Sequence, residues 1–255
     1  MLSSADAVAA EDTRTSAHLL AHYGIAANRL LALHQHNERG AMEKIIALLA
    51  QGQAVALISD AGTPAVSDPG ALLVEAVRAA GCRVIPIPGA NAALAALSAA
   101  GLAAPHFLFY GFLPSKSAAR CRTLQDLVSL PYTLVFYEAP HRILECVADL
   151  QAVFGGERQI VLAREITKLF ESIHRCTLAE AMGWLNSDPN HQRGEFVLLV
   201  SGAAKKEGLN AEAERILALL LQDLPLKQAV QLAVQITGAG KNELYQRALE
   251  IKEQK

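Results

Sequence analysis

Apolar residues in the first half of the chain fall in short unbroken runs rather than in alternation with polar residues. Two such runs are residues 55–59 and 83–87, and each precedes a stretch with helical periodicity, 70–80 and 91–100. Runs that are apolar on successive positions are typical of strands with helices on both faces. This order of elements predicts an α/β fold built on a parallel sheet.

A second block of strand and helix patterns begins after a polar, proline-containing segment at residues 112–116. We therefore predict two domains, a first α/β domain over residues 1–113 and a second α/β domain over residues 114–204. Within the second domain the pattern predicts helices at 118–129 and 143–154, and strands at 133–137, 159–163 and 196–200.

The last part of the chain has helical periodicity of another kind. Its apolar residues recur at the spacing of a helix that packs on one side, namely at Leu226, Ala229, Val230, Ala233 and Val234. Gly238 and Gly240 interrupt this pattern before a further helix, so residues 211–252 predict a helix-turn-helix-like extension after a linker at 205–210. Residues 205–255 carry eight basic and seven acidic side chains, so charge does not mark the extension for nucleic acid.

Composition narrows the class of protein but not its substrate. The chain has 255 residues, is 52% hydrophobic and has a formal net charge of −2, which indicates a globular protein without a general basic surface. Its four cysteines show neither a C-x-x-C pair nor metal-ligand spacing, which favours a reduced, cytoplasmic protein. The uncharged stretch 84–113 is divided by proline and glycine into segments too short to cross ~30 Å of membrane. The residues after Met1 lack the regions of a signal peptide.

Two loops at predicted strand ends are the best candidates for a ligand site. Residues 59–70 follow the first strand and residues 86–93 follow the second. Such loops meet beyond the carboxyl ends of the strands in an open α/β sheet, and ligands bind there. Gly62 lets the backbone approach a ligand closely, and Asp60 is able to accept hydrogen bonds from a ribose or an amino group.

The same loops have a purely structural alternative, in which Ser67 or Asp68 caps the following helix in an ordinary turn. Neither loop has the spacing of a dinucleotide fingerprint or of a P-loop, which weighs against dehydrogenases and NTPases.

Charged residues also gather at other predicted strand ends, which suits a polar substrate cleft as well as structural ion pairs and helix caps. These clusters are EDTR (11–14), YEAPHR (137–142) and REITK (164–168). His34 and His36 lack supporting cysteine or aspartate ligands, so we expect no metal site there.

Seven motifs, in order over nearly the whole chain, resemble those of the ribosomal RNA small subunit methyltransferase I family of the tetrapyrrole methylase superfamily. They are EDTR (11–14), SDAGTPAVSDPG (59–70), PGANA (88–92), GFLP (111–114), FYEAPHR (136–142), REITKLFE (164–171) and GEFVLLVSG (194–202). The helical tail is similar to the family's C-terminal helix-turn-helix extension. Single motifs are weak evidence, whereas seven in register are specific.

The resemblance implies a two-domain tetrapyrrole-methylase-like fold (class III methyltransferase), a homodimer, and S-adenosylmethionine bound between the domains. The implied reaction is 2'-O-methylation of a cytidine in 16S ribosomal RNA of the small ribosomal subunit. The implied cofactor-binding residues are Asp60, Ala61, Gly62, Thr63, Asn91, Ala92, Tyr137 and Glu138. The implied contacts to RNA phosphate are Arg14, Arg142, Arg164 and Lys168.

Such a reaction is a single in-line displacement in which positioning dominates. A nearby group must accept the proton of the ribose hydroxyl, and four candidates stay open at this point, Glu11, Asp12, Glu138 and Lys168. The scheme requires no metal.

The chain departs from the family pattern at its beginning. The family starts with a strand and loop resembling V-P-T-P-I-G-N-L, and a helix, before the equivalent of residues 4–6. Here Met1 falls almost directly on that later point, so we expect the first strand of the family's first domain to be missing.

Two other functions remain open. One is a methylase of the same fold that acts on a tetrapyrrole or another small molecule, although EDTR and the helical tail argue against it. The other is a non-catalytic RNA-binding or ribosome-binding protein that kept the fold, which titration with S-adenosylmethionine would distinguish.

Overall fold

The computed structural model of the protein describes residues 1–26, 29–34, 37–103, 105–204 and 211–253. The chain forms two compact units, Met1–Gly202 and Ala203–Lys255. The predicted linker at 205–210 and His36 lie outside the described residues.

The first sheet of the larger unit is parallel, with the strand order β2-β1-β3. Its strands are β1 (Ala7–Ala10), β2 (Leu30–Ala32) and β3 (Val55–Ile58), and the neighbouring helices are α1 (Thr13–His22), α2 (Glu38–Ala50) and α3 (Ala71–Ala79). All four residues of β1 are buried, and Ala9 packs with Ile45 of α2 and Leu73 of α3. Because β1 is the middle strand, the residues after it, Glu11 and Asp12, lie at the centre of the sheet's carboxyl edge.

The strand predicted over residues 83–87 is not formed, so this prediction was wrong. Among the described residues β3 pairs only with β1, and residues 83–90 enter no ladder. An apolar run becomes a strand only where a neighbouring edge takes its backbone hydrogen bonds, and none does so here. Ile85 and Ile87 are accordingly more than half exposed.

Helix α3 begins at Ala71, and the predicted caps Ser67 and Asp68 do not cap it. The N-cap is Gly70, which has a φ of +126°. The backbone of Ser67 and of Ala65 is instead left-handed, with φ of +63° and +67°. The loop therefore turns sharply before the helix, in a way that composition did not indicate.

The second sheet is mixed, in the order β4-β5-β8-β6-β7, rather than parallel throughout. Only β4 and β5 run parallel, because β8 pairs antiparallel with both β5 and β6, and β7 pairs antiparallel with β6. The strands are β4 (Phe107–Phe112), β5 (Thr133–Glu138), β6 (Gln159–Arg164), β7 (Ser172–Thr177) and β8 (Phe196–Val200). β4 precedes the predicted boundary at residue 113, so the chain enters the second sheet earlier than predicted.

Helices cover both faces of the second sheet. On one face, α5 (Ser117–Leu127), α6 (Ile143–Phe154) and α7 (Leu178–Ser187) form the largest apolar core with Phe136, Leu162 and Leu198. On the other face, α4 (Ala92–Ala99) packs Ala93 and Ala96 against Val135 and Leu199. Since α4 directly follows residues 86–91, this packing ties the second candidate loop to β5.

The smaller unit contains α8 (Ala211–Asp223), α9 (Leu226–Thr237) and α10 (Lys241–Glu253). Its core includes Leu217, Ala229, Ala233 and Leu244, so the predicted apolar stripe of α9 is buried. Gly238 ends α9 in the left-handed conformation, with φ of +68°, which allows the sharp turn into α10.

A search of the described helices found none with the length and apolar content to cross a membrane.

The absence of a ladder at residues 83–90 predicts a clear difference in hydrogen exchange. Amide hydrogens in strands exchange only when the ladder opens, whereas amides without such bonds exchange readily. We expect peptides covering 83–90 to exchange at the shortest labelling times, while peptides covering β5 and β8 stay protected far longer. Hydrogen-exchange mass spectrometry measures both in one sample, and equal protection of the two regions would contradict this description.

Candidate active site

The candidate site lies at the carboxyl edge of the first sheet, where the loops after β1 and β3 meet the start of α4. The backbone N–H of Asp12 donates to Oδ1 of Asp60 at 3.2 Å, which joins the two strand ends. The Thr63 hydroxyl donates to the carbonyl oxygen of Ala90 at 3.0 Å, and Asn91 caps α4 with its side chain. The two loops singled out in the sequence therefore do form one edge.

Tyr137, at the end of β5, brings the second sheet to the same place. Its hydroxyl oxygen accepts a hydrogen bond from the backbone N–H of Ala93 at 3.2 Å, and its ring packs edge-on against Phe109 and Phe112. Partial burial raises the pKa of Tyr137, the Ala93 hydrogen bond opposes this, and the negative charge of Asp68 adds to it. The phenol is therefore protonated at neutral pH and keeps its own O–H as a donor.

Seven of the eight predicted cofactor-binding residues are accessible on this edge, namely Asp60, Ala61, Gly62, Thr63, Asn91, Ala92 and Tyr137. Gly62 has a φ of +72°, a conformation that favours glycine, and it faces the carbonyl of Ala90. The glycine at position 62 thus allows the two loops to approach each other closely.

The eighth residue, Glu138, points away from this edge into the second domain. Its side chain is fully buried, and Oε1 accepts from the Ala139 backbone N–H at 2.8 Å and lies 3.1 Å from Nε of Arg142. Alternation along β5 explains the difference, because consecutive residues of a strand face opposite sides. Glu138 therefore supports the site from behind and does not line it.

Arg142 and Arg120 hold the turn between β4 and α5, at residues 113–116. Arg142 donates to the carbonyls of Leu113 at 2.7 Å and Pro114 at 3.2 Å. Arg120 of α5 is fully buried, donates to the carbonyls of Pro114 and Ser115, and pairs with a carboxylate of α6. The carbonyl oxygens of this turn are thus satisfied by charged donors, which form the stronger hydrogen bonds.

Asp12 is engaged with its own neighbour. Its carboxylate accepts from the backbone N–H and the guanidinium of Arg14, both at 2.8 Å, and caps α1. The Arg14 hydrogen bonds lower the pKa of Asp12 to about 2. Arg14 itself is the most open of the four predicted phosphate contacts, with 87% of its side chain exposed.

Arg164, the last residue of β6, and Lys168, in the loop before β7, also have protein partners. Arg164 donates to the Ser172 hydroxyl at 3.2 Å and to a backbone carbonyl. Lys168 bridges the carboxylates of Glu165 and Glu195 at 2.8 Å each, and these hydrogen bonds raise its pKa. Lys168 is therefore a cation at neutral pH, and about half of its side chain remains exposed.

Asp68 is a residue of this edge that the sequence reasoning treated only as a helix cap. Partial burial raises its pKa, and so do the carboxylates of Glu11 and, more weakly, Asp60, against an opposing hydrogen bond from Ser59. The spacing of two S-D pairs in residues 59–68 was the available signal, but the left-handed backbone that brings them together is not visible in the sequence.

The donor set on this edge fits S-adenosylmethionine. That cofactor carries ribose hydroxyls, an ammonium and a sulfonium cation, and the edge offers carboxylates from Glu11, Asp60 and Asp68 beside the phenol of Tyr137. Carboxylates accept hydrogen bonds from hydroxyl and ammonium groups and favour positive charge. Over the part of the chain that the structure describes, no group of three or more His, Cys, Asp or Glu side chains is arranged to hold a metal ion.

Comparison with known proteins identifies the family. A family model described as Tetrapyrrole (Corrin/Porphyrin) Methylases matches residues 1–182. The chain belongs to this family. A second model, described as the RsmI C-terminal HTH domain, matches residues 207–252 of this tetrapyrrole methylase.

Curated relatives match over almost the whole chain. The ribosomal RNA small subunit methyltransferase I of Pseudomonas aeruginosa is 55% identical over 246 residues, covering 95% of this chain and 87% of that protein. The protein of the same name from Escherichia coli O157:H7 is 50% identical over 251 residues, covering 98% and 87%.

Solved structures show the same fold. The cobalt precorrin-4 methyltransferase CbiF aligns with a TM-score of 0.56 at 16% identity, over 79% of this chain and 85% of that one. A Thermus thermophilus uroporphyrin-III C-methyltransferase complexed with S-adenyl homocysteine aligns with a TM-score of 0.52 at 19% identity, over 78% and 86%. The predictions of a tetrapyrrole-methylase fold, of methyltransferase activity and of S-adenosylmethionine as cofactor are confirmed.

The buried Arg120 of α5 provides a stability test. Arg120→Met should lower the free energy of unfolding by about 3 kcal/mol, because it leaves Asp149 and the carbonyls of Pro114 and Ser115 without their charged donor. Arg122→Met, at an exposed position of the same helix, should change it by less than about 0.5 kcal/mol. Denaturant unfolding of both variants measures this, and equal losses would contradict the role given to Arg120.

Proposed function

We propose that this tetrapyrrole methylase transfers the methyl group of S-adenosylmethionine to the ribose 2'-oxygen of a cytidine in 16S ribosomal RNA of the small ribosomal subunit. The observation that carries the RNA acceptor is the 55% identity, over 95% of the chain, to a protein named ribosomal RNA small subunit methyltransferase I. Residues 207–252 match the model described as the RsmI C-terminal HTH domain, and this match also supports the RNA acceptor.

In this proposal the first domain binds the cofactor and the second closes over it. Asp60 accepts hydrogen bonds from the cofactor's hydroxyl or amino groups. The backbone of the loops at Gly62 and Asn91 approaches the cofactor closely, and the Tyr137 hydroxyl donates a hydrogen bond to it from β5. The bound cofactor supplies an electrophilic methyl group on a sulfonium. The protein's contribution is then mainly to hold the acceptor oxygen in line with that methyl group.

The four candidate bases differ in their surroundings. Asp12, with a pKa of about 2, is a weak base, and Lys168 holds its proton against two carboxylates. Glu138 is buried behind the site and paired with Arg142. With these three set aside, Glu11 at the end of β1 is the one of the four that we keep as a candidate for proton transfer or for support of it.

RNA binding in this proposal uses the exposed cations. Arg14 and Lys168 are paired with carboxylates, but 87% and 47% of their side chains are exposed, whereas Arg142 and Arg164 are engaged with backbone carbonyls and a hydroxyl. Arg142 and Arg164 then shape the cleft, while Arg14 and Lys168 contact phosphate. We further propose that the protein acts in the cytoplasm, where ribosomal RNA of this kind is made.

A small-molecule acceptor is the second candidate, since the solved structures of this fold include enzymes named for uroporphyrin and precorrin. Those similarities are below 20% identity and show the fold alone. The extension at residues 207–252 and the relatives at 50% identity or more favour RNA.

The proposed function predicts a specific product. With S-adenosylmethionine and small subunits that lack the modification, the wild type should form a 2'-O-methylcytidine, which makes the adjacent phosphodiester resistant to alkali. Asp60→Asn should weaken S-adenosylmethionine binding about tenfold or more, because a charged acceptor is lost. Asp126→Asn, on the exposed face of α5, is the matched control and should bind normally.

Nucleoside mass spectrometry and isothermal titration read out these two effects. A methylated base in place of the ribose, or methylation of a uroporphyrinogen-type acceptor but not of RNA, would overturn the proposed acceptor. Absence of saturable S-adenosylmethionine binding would favour the non-catalytic alternative.

We also propose that the protein is a homodimer. Leu169 and Phe170 support this, because they are 89% and 66% exposed on a loop that Lys168 holds in place with two ion pairs. Exposed apolar side chains on an ordered loop are typical of association surfaces. Leu169→Asp should therefore shift the protein toward monomer in sedimentation velocity, while Leu219→Asp on α8 should not; a monomeric wild type would contradict the proposal.

A further inference from the structure

Glu11 is not the only carboxylate near the proposed reaction centre. Asp68, in the loop between β3 and α3, is half-buried. The residue before it, Ser67, lies against Gly111 of β4, and the ladder partner of Gly111 is Phe136, the neighbour of Tyr137 on β5. The same loop begins at Asp60, which the backbone N–H of Asp12 ties to the end of β1. Asp68 therefore lies in the loop that joins the first-domain edge to the strand end that carries Tyr137.

The loop that carries Asp68 is braced on both sides. The backbone N–H of Gly70 donates to a carboxylate oxygen of Glu38 on α2 at 3.2 Å. On the other side, Ser67 fits against the bare Cα of Gly111 on β4, where a Cβ would lie 2.7 Å from the Ser67 hydroxyl oxygen.

Two non-glycine residues of this loop, Ala65 and Ser67, hold left-handed backbone conformations, with φ of +67° and +63°. Such conformations cost free energy and persist only where the surroundings enforce them. The loop therefore holds the backbone next to Asp68 in a fixed conformation.

We infer that Asp68 is the catalytic base, which receives the proton of the acceptor hydroxyl; this inference rests on the proposed ribose methylation. Asp68 takes the proton as the acceptor oxygen bonds to the methyl carbon, and the electron pair of the broken S–C bond stays on sulfur. One cation and one carboxylate are thereby converted into a neutral thioether and a neutral acid, so charge is conserved.

The groups around Asp68 set the pH at which it works. Partial burial, Glu11 at the end of β1 and Asp60 at the end of β3 raise the pKa of Asp68, and Ser59 lowers it. Tyr137 faces it from β5 as a neutral phenol, and Glu38 from α2 binds the loop at Gly70. A base must be deprotonated, so activity should rise with pH through a pKa above that of an ordinary aspartate.

A binding experiment tests this placement without turnover. If the Asp68 carboxylate lies beside the sulfonium, binding of S-adenosylmethionine should release protons at acidic pH, where the free carboxylate is partly protonated, because the cation favours the charged form. S-adenosylhomocysteine has no sulfonium and should release far fewer. Isothermal titration in buffers of different ionisation enthalpy counts these protons.

Two variants show whether the released protons come from Asp68. Asp68→Asn should abolish the difference between the two ligands while still binding S-adenosylhomocysteine, and Asp126→Asn should keep it. An equal proton count for both ligands with the wild type would overturn the inference even if Asp68→Asn does not fold. An unchanged difference in a folded Asp68→Asn protein would do the same.

The rate of methyl transfer and its pH profile then show whether Asp68 or Glu11 is the base. Asp68→Asn should lower the rate of methyl transfer about 100-fold or more and remove the acid limb of the pH profile. Glu11→Gln should keep that limb but move it to lower pH, because a like charge beside Asp68 is lost. Loss of the limb in Glu11→Gln, with the limb kept in Asp68→Asn, would make Glu11 the base.

Different results would contradict the proposed function and the role of Asp68. If the wild type forms no 2'-O-methylcytidine, the proposed function is wrong, whatever the proton counts. If it forms that product but the ligands release equal numbers of protons, only the role of Asp68 is wrong.

Discussion

The carbonyl oxygens of residues 113–115, in the turn between β4 and α5, accept hydrogen bonds from two arginines of the second domain. Arg120 and Arg142 are themselves held by Asp149 and Glu138, so charge pairs inside the domain fix this turn at the end of β4. Glu138 directly follows Tyr137 on β5, and Tyr137 binds the N–H at the start of α4. The position of Tyr137 beside the start of α4 is therefore supported by this buried network. An in-line methyl transfer requires groups that are held in fixed positions.

The chemistry of the cleft follows from where the strands end. β1 and β3 are adjacent and parallel, so the acidic residues after them, Glu11 and Asp60, come together at one edge. The left-handed turn at Ala65 and Ser67 adds Asp68 to the same edge. Carboxylates placed together disfavour one another's charge and favour a bound cation. An edge of this kind suits a cofactor whose reactive group is a cation and whose product is neutral.

Sequence motifs predicted the family, the cofactor and both candidate loops, because these depend on residue order alone. The pattern also placed β3, β5, α6 and the buried stripe of α9 within a residue or two. It failed at residues 83–87, because an apolar run does not reveal whether a neighbouring edge exists to pair with it. It also failed to indicate the antiparallel pairing of β8 and the inward direction of Glu138, which long-range contacts and strand phase determine. Asp68 was missed for a similar reason, since positive φ at alanine and serine has no sequence signature.

Hydrogen-exchange mass spectrometry with and without S-adenosylmethionine tests the central claim, a cofactor cleft between the two sheets, most directly. We expect saturating cofactor to slow amide hydrogen exchange in peptides covering residues 59–70, 88–94 and 137–139, with little change in α8 to α10. Unchanged exchange in those three segments, or protection confined to other parts of the chain, would contradict it.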